Sequence, residues 1–425
     1  MANSDCRLRH HNKQASKTAT TMMNVIEDDD DSMEDEAVLI AICYQQYILS
    51  PERTMRSLLS LQARRNRSGT IRRKALLPYS QSPFLYLYQS GQDDAMITLT
   101  GFNYAAFHKL LGLFEAFFEA YTPHSKSGFV KRRNMSDKRG RPRNIDAKGC
   151  LGLYLTWTRT RGSLKTLQMI FGIVNTKLYM WLRFGRRILC RILRSHADAI
   201  IQLPSREEIN EFTIRINEKY PVLENVYGAM DGLKVNLEKS TDNDKQTMFY
   251  NGWTHGHYVS GMLLFTPDGR VRAAYVNAPG CLHDSTLASW SEIYNKVDQV
   301  HELCGGKVVV DSAFASHKSK SLIKSHQSNI NPQNGTVRSC SAVHRAATSV
   351  RQLSEWGMRG LQGSFPRLKD DILFEDYGER KLILFSIIYL YNFRATNVGQ
   401  NQIKSTFTGL LAKDVAVEFR PLFES

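Results

Sequence analysis

The sequence predicts a chain of two structural classes, a basic all-α region followed by an α/β domain. Apolar residues recur at helical spacing between residues 83 and 204, whereas short apolar strands, some carrying or ending in an acidic residue, follow residue 205. The formal net charge of +15 indicates an anionic partner, either nucleic acid or an acidic membrane surface. We therefore expect a helical binding region in front of an α/β domain that carries a site on its sheet.

Composition narrows the classes of protein. No apolar run approaches the roughly 20 residues that span a bilayer, and the polar N-terminus does not resemble a signal peptide. The 7 cysteines are scattered and include no CxxC pair, which favours a reducing compartment over a disulfide scaffold or a cysteine-rich zinc module. We expect an intracellular protein that is not embedded in a membrane.

Changes in composition predict five segments. A polar, acidic and disordered tail precedes a basic segment, the helical region, the α/β domain and a C-terminal tail. RRNRSGTIRRK within the basic segment is either a solvated charged loop or a nuclear import signal. The predicted boundaries are 1–36, 37–82, 83–204, 205–405 and 406–425.

The helical region contains an aromatic stripe and a group of shorter helices. Phenylalanine and leucine recur at helical spacing from Phe102 to Phe118, with Asn103 as the cap, so this stripe is expected to face the core. Three further helices are predicted over about 146–158, 163–171 and 175–194. Their order and the tight turn between the last two predict a helix-turn-helix-like arrangement.

Lysine and arginine dominate residues 131–194, where only Asp137 and Asp146 oppose them. A surface of this charge is expected to contact DNA phosphates, although a solvated helical bundle is the alternative. RGRPR at 139–143 resembles the AT-hook core, whose arginines lie in a narrow minor groove, and a plain basic linker fits it equally. The predicted DNA-binding residues are Arg139, Arg141, Arg143, Lys165, Lys177, Arg183, Arg186 and Arg187.

The α/β domain opens on VYGAMDGLKVNL, which places Asp231 in the middle of a strand. An isolated Asp-Gly would be read as a turn, but further acids follow. The strand KVVVDSAF ends at Asp311, and an amphipathic helix over 344–365 carries Glu355. A strand pair around the turn Pro267-Asp268-Gly269 and a helix after GCLHDS lie between them. This order of elements predicts an RNase H-like fold, a mixed sheet flanked by helices.

The predicted fold brings the acids together. A central strand and its parallel neighbour end at one edge of the sheet, so Asp231 and Asp311 are expected to meet there, and a crossing helix can add Glu355. Clustered carboxylates repel one another unless cations neutralise them, and hard oxygen ligands favour Mg²⁺ or Mn²⁺. Two such ions about 4 Å apart assist phosphodiester cleavage.

Five motifs together resemble the PIF/Harbinger-type DDE transposase family over roughly 83–405. They are MDGLKV, NGWTHGHYVSGMLLFTPDG, GCLHDS, VVVDSAF and VRQLSEWGMRGLQGSFPRL. The resemblance implies that Asp231, Asp311 and Glu355 are the catalytic, metal-binding triad, with Asp284 of HDS as a fourth metal ligand or an orienting residue. It also implies transposon ends and target DNA as substrates, nuclear location, a Myb-like DNA-binding partner protein and a homo-oligomer.

Some features leave alternatives open. The polar stretch 316–346 is longer than a compact core requires and is either a substrate-contacting loop or a decayed segment. Arg351 and Arg359 flank Glu355 at helical spacing, so they either hold phosphates or form ion pairs that stabilise the helix. The rival functions are a domesticated, catalytically inactive DNA-binding protein and an RNase or phosphatase that uses the same carboxylates.

Overall fold

A computed structural model describes residues 71–124, 128–131, 143–240, 242–252, 254–314, 319–325, 342–372 and 376–408. The chain divides into two compact units. Of the described residues, 71–83 and 163–178 form the smaller unit, and the remainder belong to the larger one. The predicted tail 1–36, most of the basic segment 37–82 and residues 409–425 of the predicted tail 406–425 lie outside the described residues. The domain boundaries stay predictions.

The first half of the described chain is helical, with one short hairpin. Its three predicted later helices are confirmed to within about two residues, as expected for helix ends. Asn103 caps the aromatic helix, since its side chain accepts a hydrogen bond from the Ala106 N–H at 3.0 Å. The elements are α1 (Pro83–Ser90), α2 (Asp93–Thr100), α3 (Tyr104–Ala120), β1 (Tyr121–His124), β2 (Gly128–Lys131), α4 (Ala147–Arg159), α5 (Leu164–Phe171) and α6 (Asn175–Leu193).

A sharp turn joins α5 to α6. Gly172 ends α5 with φ at 64°, and a Cβ on this residue would collide with the carbonyl oxygen of Leu77 in the same unit. Only glycine satisfies both conditions without strain. The two helices and their turn agree with the predicted element order, while a DNA-binding role for this pair stays a prediction.

The second half forms a mixed sheet with helices between its strands. A capping box formed by Ser205 and Glu208 starts α7. The elements are α7 (Arg206–Lys219), β3 (Val226–Asn236), α8 (Asn243–Phe249), β4 (Tyr250–Asn251), β5 (Gly256–Phe265), β6 (Val271–Pro279), α9 (Asp284–Trp290), α10 (Ile293–Cys304), β7 (Lys307–Val310), β8 (Leu322–Lys324), α11 (Ala342–Ser364), α12 (Tyr377–Asn397) and α13 (Gln402–Thr408).

The strand order explains where a site can form. The sheet runs β4–β5–β3–β7–β8, and β6 also pairs with β5. The central strand β3 is antiparallel to β5 and parallel to β7, which is in turn parallel to β8. β3 and β7 therefore point their carboxyl ends to the same edge.

Helices cover both faces of this sheet. On one face, Met230 and Val310 pack in a cluster with Phe212 of α7 and residues of α9 and α10. On the other face, the Phe265 ring meets Tyr391 of α12 edge-on at 6.1 Å and lies so close to Gly357 of α11 that a Cβ there would collide with it. The mixed α/β architecture is thus confirmed, with a buried strand at its centre.

Two further features of the sheet bear on the predictions. β8 and the start of α11 fall within the stretch 316–346, so part of the predicted polar insert is regular structure, while 315–318 and 326–341 lie outside the described residues. Asn392 is fully buried and binds both backbone groups of Val271, at 2.7 and 2.9 Å, which is a structural role. Among the described helices, none is long and apolar enough to cross a membrane.

Candidate active site

Asp231 and Asp311 lie at neighbouring positions on the sheet. Met230 pairs with Val310 in the last parallel register pair between β3 and β7, so the two aspartates follow directly on adjacent strands. Successive residues of a strand point to opposite faces, so Asp231 points to the face that α11 covers, whereas Met230 and Gly232 point to the face of α9 and α10. The register thus sets the two aspartates at neighbouring positions of adjacent strands, and their role as a catalytic pair stays a prediction.

The environment of Asp231 disfavours its ionised form. Burial raises the pKa of Asp231 to about 6, and the charges of Asp311 and Asp284 act in the same direction. The Gly232 N–H donates to Oδ1 of Asp231 at 2.8 Å, and this bond and the Arg351 charge lower the pKa in part. Burial makes the charged carboxylate unfavourable, and a cation bound beside it would offset that cost.

Asp284 approaches the same strand from α9, which begins at this residue. A Cβ on Gly232 would lie only 3.0 Å from Oδ1 of Asp284, so the missing side chain makes room for the carboxylate. Burial raises the pKa of Asp284, the charge of Lys234 lowers it, and Asp311 raises it again. Asp284 is thus within electrostatic range of both strand aspartates, and its role as a fourth metal ligand or an orienting residue stays a prediction.

Glu355 is placed differently. It lies on α11, its side chain is 40 % exposed, and its carboxylate pairs with Arg351 one helical turn earlier. Arg351, Asp311 and Asp284 are the charges that act most strongly on Asp231, and Glu355 is not among them. Of the two interpretations of Arg351, the structure contains the ion pair within the helix, whereas Arg359 on the same helix is exposed.

The three aspartates offer suitable ligands for a hard divalent cation, because carboxylate oxygens are what Mg²⁺ and Mn²⁺ prefer. Within the described part of the chain, however, no three histidine, cysteine or acidic side chains stand close enough together to hold a metal ion. The residues present fit such an ion in their chemistry, and the side chains would have to close around it.

Four predicted DNA-binding arginines are engaged inside the protein. Arg143 donates to the carbonyl of Phe118 at 2.6 Å and stacks on its ring at 4.2 Å. Arg183, Arg186 and Arg187 all contact the carboxylate of Glu379 on α12, and Arg186 is only 7 % exposed. A DNA phosphate would have to displace Glu379 to reach Arg186.

The other predicted DNA-binding residues differ in exposure. Lys165 on α5 is exposed and Lys177 on α6 is half-buried, and both belong to the smaller unit. Arg139 and Arg141 lie outside the described residues. The DNA-binding role of all eight residues stays a prediction, with Lys165 the most accessible of those described.

Sequence reasoning missed the residues that anchor the chain before Asp284. Asn251 of β4 donates to the carbonyl of Gly280 at 2.8 Å, and Asn277 of β6 is buried with φ at 73°. The Asn-Ala-Pro-Gly run at 277–280 marks a turn, but its partners come from distant parts of the chain.

Comparison with known families adds one similarity. Residues 230–392 match the family described as DDE superfamily endonuclease. The matched segment starts one residue before Asp231 and includes Asp284, Asp311 and Glu355. No curated protein and no solved structure matches the chain. The similarity indicates nuclease or transposase chemistry for the α/β domain.

Proposed function

We propose that the protein is a metal-dependent DNA endonuclease or transposase of the PIF/Harbinger type, with an RNase H-like catalytic domain. The observation that carries this proposal is the register of β3 and β7, which sets Asp231 beside Asp311 at one edge of the sheet. The match of 230–392 to DDE superfamily endonucleases supports the same chemistry. The PIF/Harbinger assignment rests on the sequence motifs.

Asp231 and Asp311 are the proposed principal metal ligands, with Asp284 as a third carboxylate. A divalent cation, when bound, supplies positive charge for the phosphate in phosphodiester cleavage. Arg351 meanwhile supplies part of the positive charge that ionised Asp231 requires. The carboxylates would orient either a water that nicks DNA or a 3′-hydroxyl that joins strands.

Glu355 completes the proposed triad only if it exchanges its partner. Its carboxylate is paired with Arg351, so it must leave that arginine to reach Asp231. The remaining parts of the proposal are DNA positioning by the helical region 83–204, nuclear location, homo-oligomerisation and a Myb-like partner protein, and they rest on charge and on family resemblance.

A domesticated DNA-binding protein without catalysis is the second candidate. One observation favours it, since the described residues contain no ready-made group of three metal ligands. It predicts DNA binding that is indifferent to divalent metals.

A comparison of aspartate variants separates the two functions. Wild type, Asp231→Asn, Asp311→Asn and the control Asp244→Asn, an exposed aspartate of α8, are incubated with plasmid and terminal-repeat DNA. We expect Mg²⁺ or Mn²⁺ to support nicking and to raise the melting temperature of wild type and the control only, since bound metal stabilises the folded state.

Other outcomes would replace the proposal. Wild-type protein that binds DNA but neither cleaves it nor responds to metal would establish the domesticated form. Cleavage confined to RNA or phosphomonoesters would favour the RNase or phosphatase.

A further inference from the structure

The position of Asp284 depends on how the chain leaves β6. Asp284 is the first residue of α9, and only 280–283 separate it from the end of β6 at Pro279. Its carboxylate lies directly against Gly232 of the central strand. A short connection transmits any change in direction at the end of β6 to this carboxylate.

A bulge sets that direction. Ser260 pairs with Ala278 and Met262 with Tyr275, so one residue of β5 faces two residues of β6, Val276 and Asn277. Asn277 adopts φ of 73° and is 2 % exposed. Asparagine adopts this left-handed conformation more readily than most non-glycine residues, but inside a strand it persists only where its surroundings hold it. Bulges of this kind re-aim side chains beside functional sites.

Two residues of α12 hold Asn277 in place. Its Nδ2 donates to the carbonyl of Tyr377 at 3.0 Å, and its Oδ1 accepts from Nε of Arg380. Arg380 is itself 3 % exposed and stacks over the ring of Phe249 at 5.1 Å. Burying a guanidinium costs free energy. The end of a strand alone does not require such a group, which suggests that the contact with Asn277 has a further role.

A second anchor acts on the same connection. Asn251 binds the carbonyl of Gly280, and a Cβ on Gly280 would collide with the carbonyl oxygens of Tyr258 and Phe249. The backbone is thus clamped on both sides of Pro279. Phe249 contributes to both anchors, because it also carries the ring beneath Arg380.

We propose that Asn277 and Arg380 are positioning residues that hold Asp284 in its place against Gly232 of the central strand. They act by holding the left-handed bulge from which the connection to α9 departs. The consequence for metal binding rests on the proposed function, whereas the placement of Asp284 does not.

Three variants separate the contribution of the left-handed backbone at Asn277 from that of its side-chain hydrogen bonds. Asn277→Gly accepts a positive φ without penalty and loses both hydrogen bonds, while Asn277→Ala loses the bonds and keeps the strain. Arg380→Met keeps an unbranched side chain over the Phe249 ring and removes the Nε donor that binds Asn277. The matched control is Asn225→Ala, since Asn225 also has a positive φ, at 59°, just before β3, and is exposed.

Crystal structures and metal-dependent melting shifts provide the readouts. In Asn277→Ala the Asp284 carboxylate should move away from Gly232 by on the order of 1 Å, the scale at which catalytic geometry is lost. Asn277→Gly and Arg380→Met should show smaller movements. The Mg²⁺-induced rise in melting temperature should shrink most in Asn277→Ala and less in the other two variants. Asn225→Ala should change neither the position of Asp284 nor the melting shift.

The proposal is overturned if Asp284 keeps its position against Gly232 in all three variants. A wild type without any response to Mg²⁺ would count against the proposed function instead, and the crystal structures would still decide the placement. If Asn277→Ala fails to fold, the Gly and Met variants carry the test.

Discussion

The acidic edge of the sheet and the arginine cluster of the helical region differ in how their charged side chains are neutralised. At the edge, burial raises the pKa of Asp231 and of Asp284, and the charge of Asp311 adds to both increases. In the helical region, Arg186 and its neighbours share the carboxylate of Glu379, and Arg159 donates to the carbonyl of Ser364 at the end of α11 at 3.1 Å. The edge brings carboxylates near one another, whereas the arginines are grouped around a carboxylate that they contact directly.

This difference separates function from stability. Like charges that are held together lower the stability of the protein unless a ligand neutralises them, which is typical of active sites. Buried charges with partners hold elements together, and breaking such a pair is expensive. The two regions should therefore respond to mutation with opposite signs.

The largest expected effect comes from Glu379→Ala. The change leaves Arg186 buried and removes the carboxylate shared by three arginines, so the free energy of unfolding should fall by about 3–5 kcal/mol. Urea denaturation measures it. The control Glu211→Ala breaks an exposed pair with Arg215 and should cost less than about 1 kcal/mol. Equal losses in the two variants would show that the cluster does not hold α6 to α12.

Asp231→Asn should act in the opposite direction in metal-free buffer. Folding raises the pKa of Asp231 from 3.8 to about 6, so the folded state binds the proton more tightly than the unfolded state. Wild-type stability should then fall as pH rises from about 4 to 6. The variant lacks this loss and should be more stable by on the order of 2 kcal/mol at neutral pH.

Unfolding free energies across this pH range, measured with a chelator, test the prediction. Parallel stability curves for wild type and Asp231→Asn would contradict it. Adding Mg²⁺ should narrow the gap if the proposed site binds the ion, because the ion stabilises only the ionised wild type.

Arg351→Gln should have a smaller effect with a specific signature. The Arg351 charge lowers the pKa of Asp231, so its removal should shift the pH-dependent loss of stability to higher pH. The lost pair with Glu355 should itself cost less than about 1 kcal/mol. Arg359→Gln, on the exposed face of the same helix, is the control, and an identical shift there would remove Arg351 as the neighbouring charge.

Lys165→Gln should leave stability unchanged and alter DNA binding. Removing one phosphate contact should lower the slope of log affinity against log salt by about 1, measured by fluorescence anisotropy. Arg186→Gln should do the reverse, lowering stability and leaving the slope unchanged. A slope change only in Arg186→Gln would return the arginine cluster to the DNA-binding surface.

Local patterns account for what could be predicted. The helices at 147–159, 164–171 and 175–193 follow from apolar periodicity and nearby caps, and both signals are contained in neighbouring residues. The parallel pairing of β3 with β7 agrees with the predicted fold, but the register that sets Asp231, five residues before the end of β3, beside Asp311 comes from the structure. The ion pair between Glu355 and Arg351 was one of two open alternatives, because an arginine at this spacing can equally well bind a phosphate.

The arginines show why the remainder could not be predicted. A count of charges over 131–194 does not say which side of a helix faces the core. Arg186 is buried because α6 packs against α12, whose Glu379 lies 193 residues further along the chain. The same limit applies to Asn277, whose partner Arg380 is 103 residues away.

The sequence by itself determined the basic helical first half, the strands that deliver Asp231 and Asp311, and the helix that carries Glu355, because periodicity, capping and strand direction are properties of short segments. Only the tertiary structure decided that Asp284 reaches the edge across Gly232, that Glu355 pairs with Arg351, and that several arginines serve the interior. Those outcomes depend on which side chains, distant in the sequence, lie in contact in the folded protein. These contacts decide whether a buried charge has an oppositely charged partner or lies near like charges.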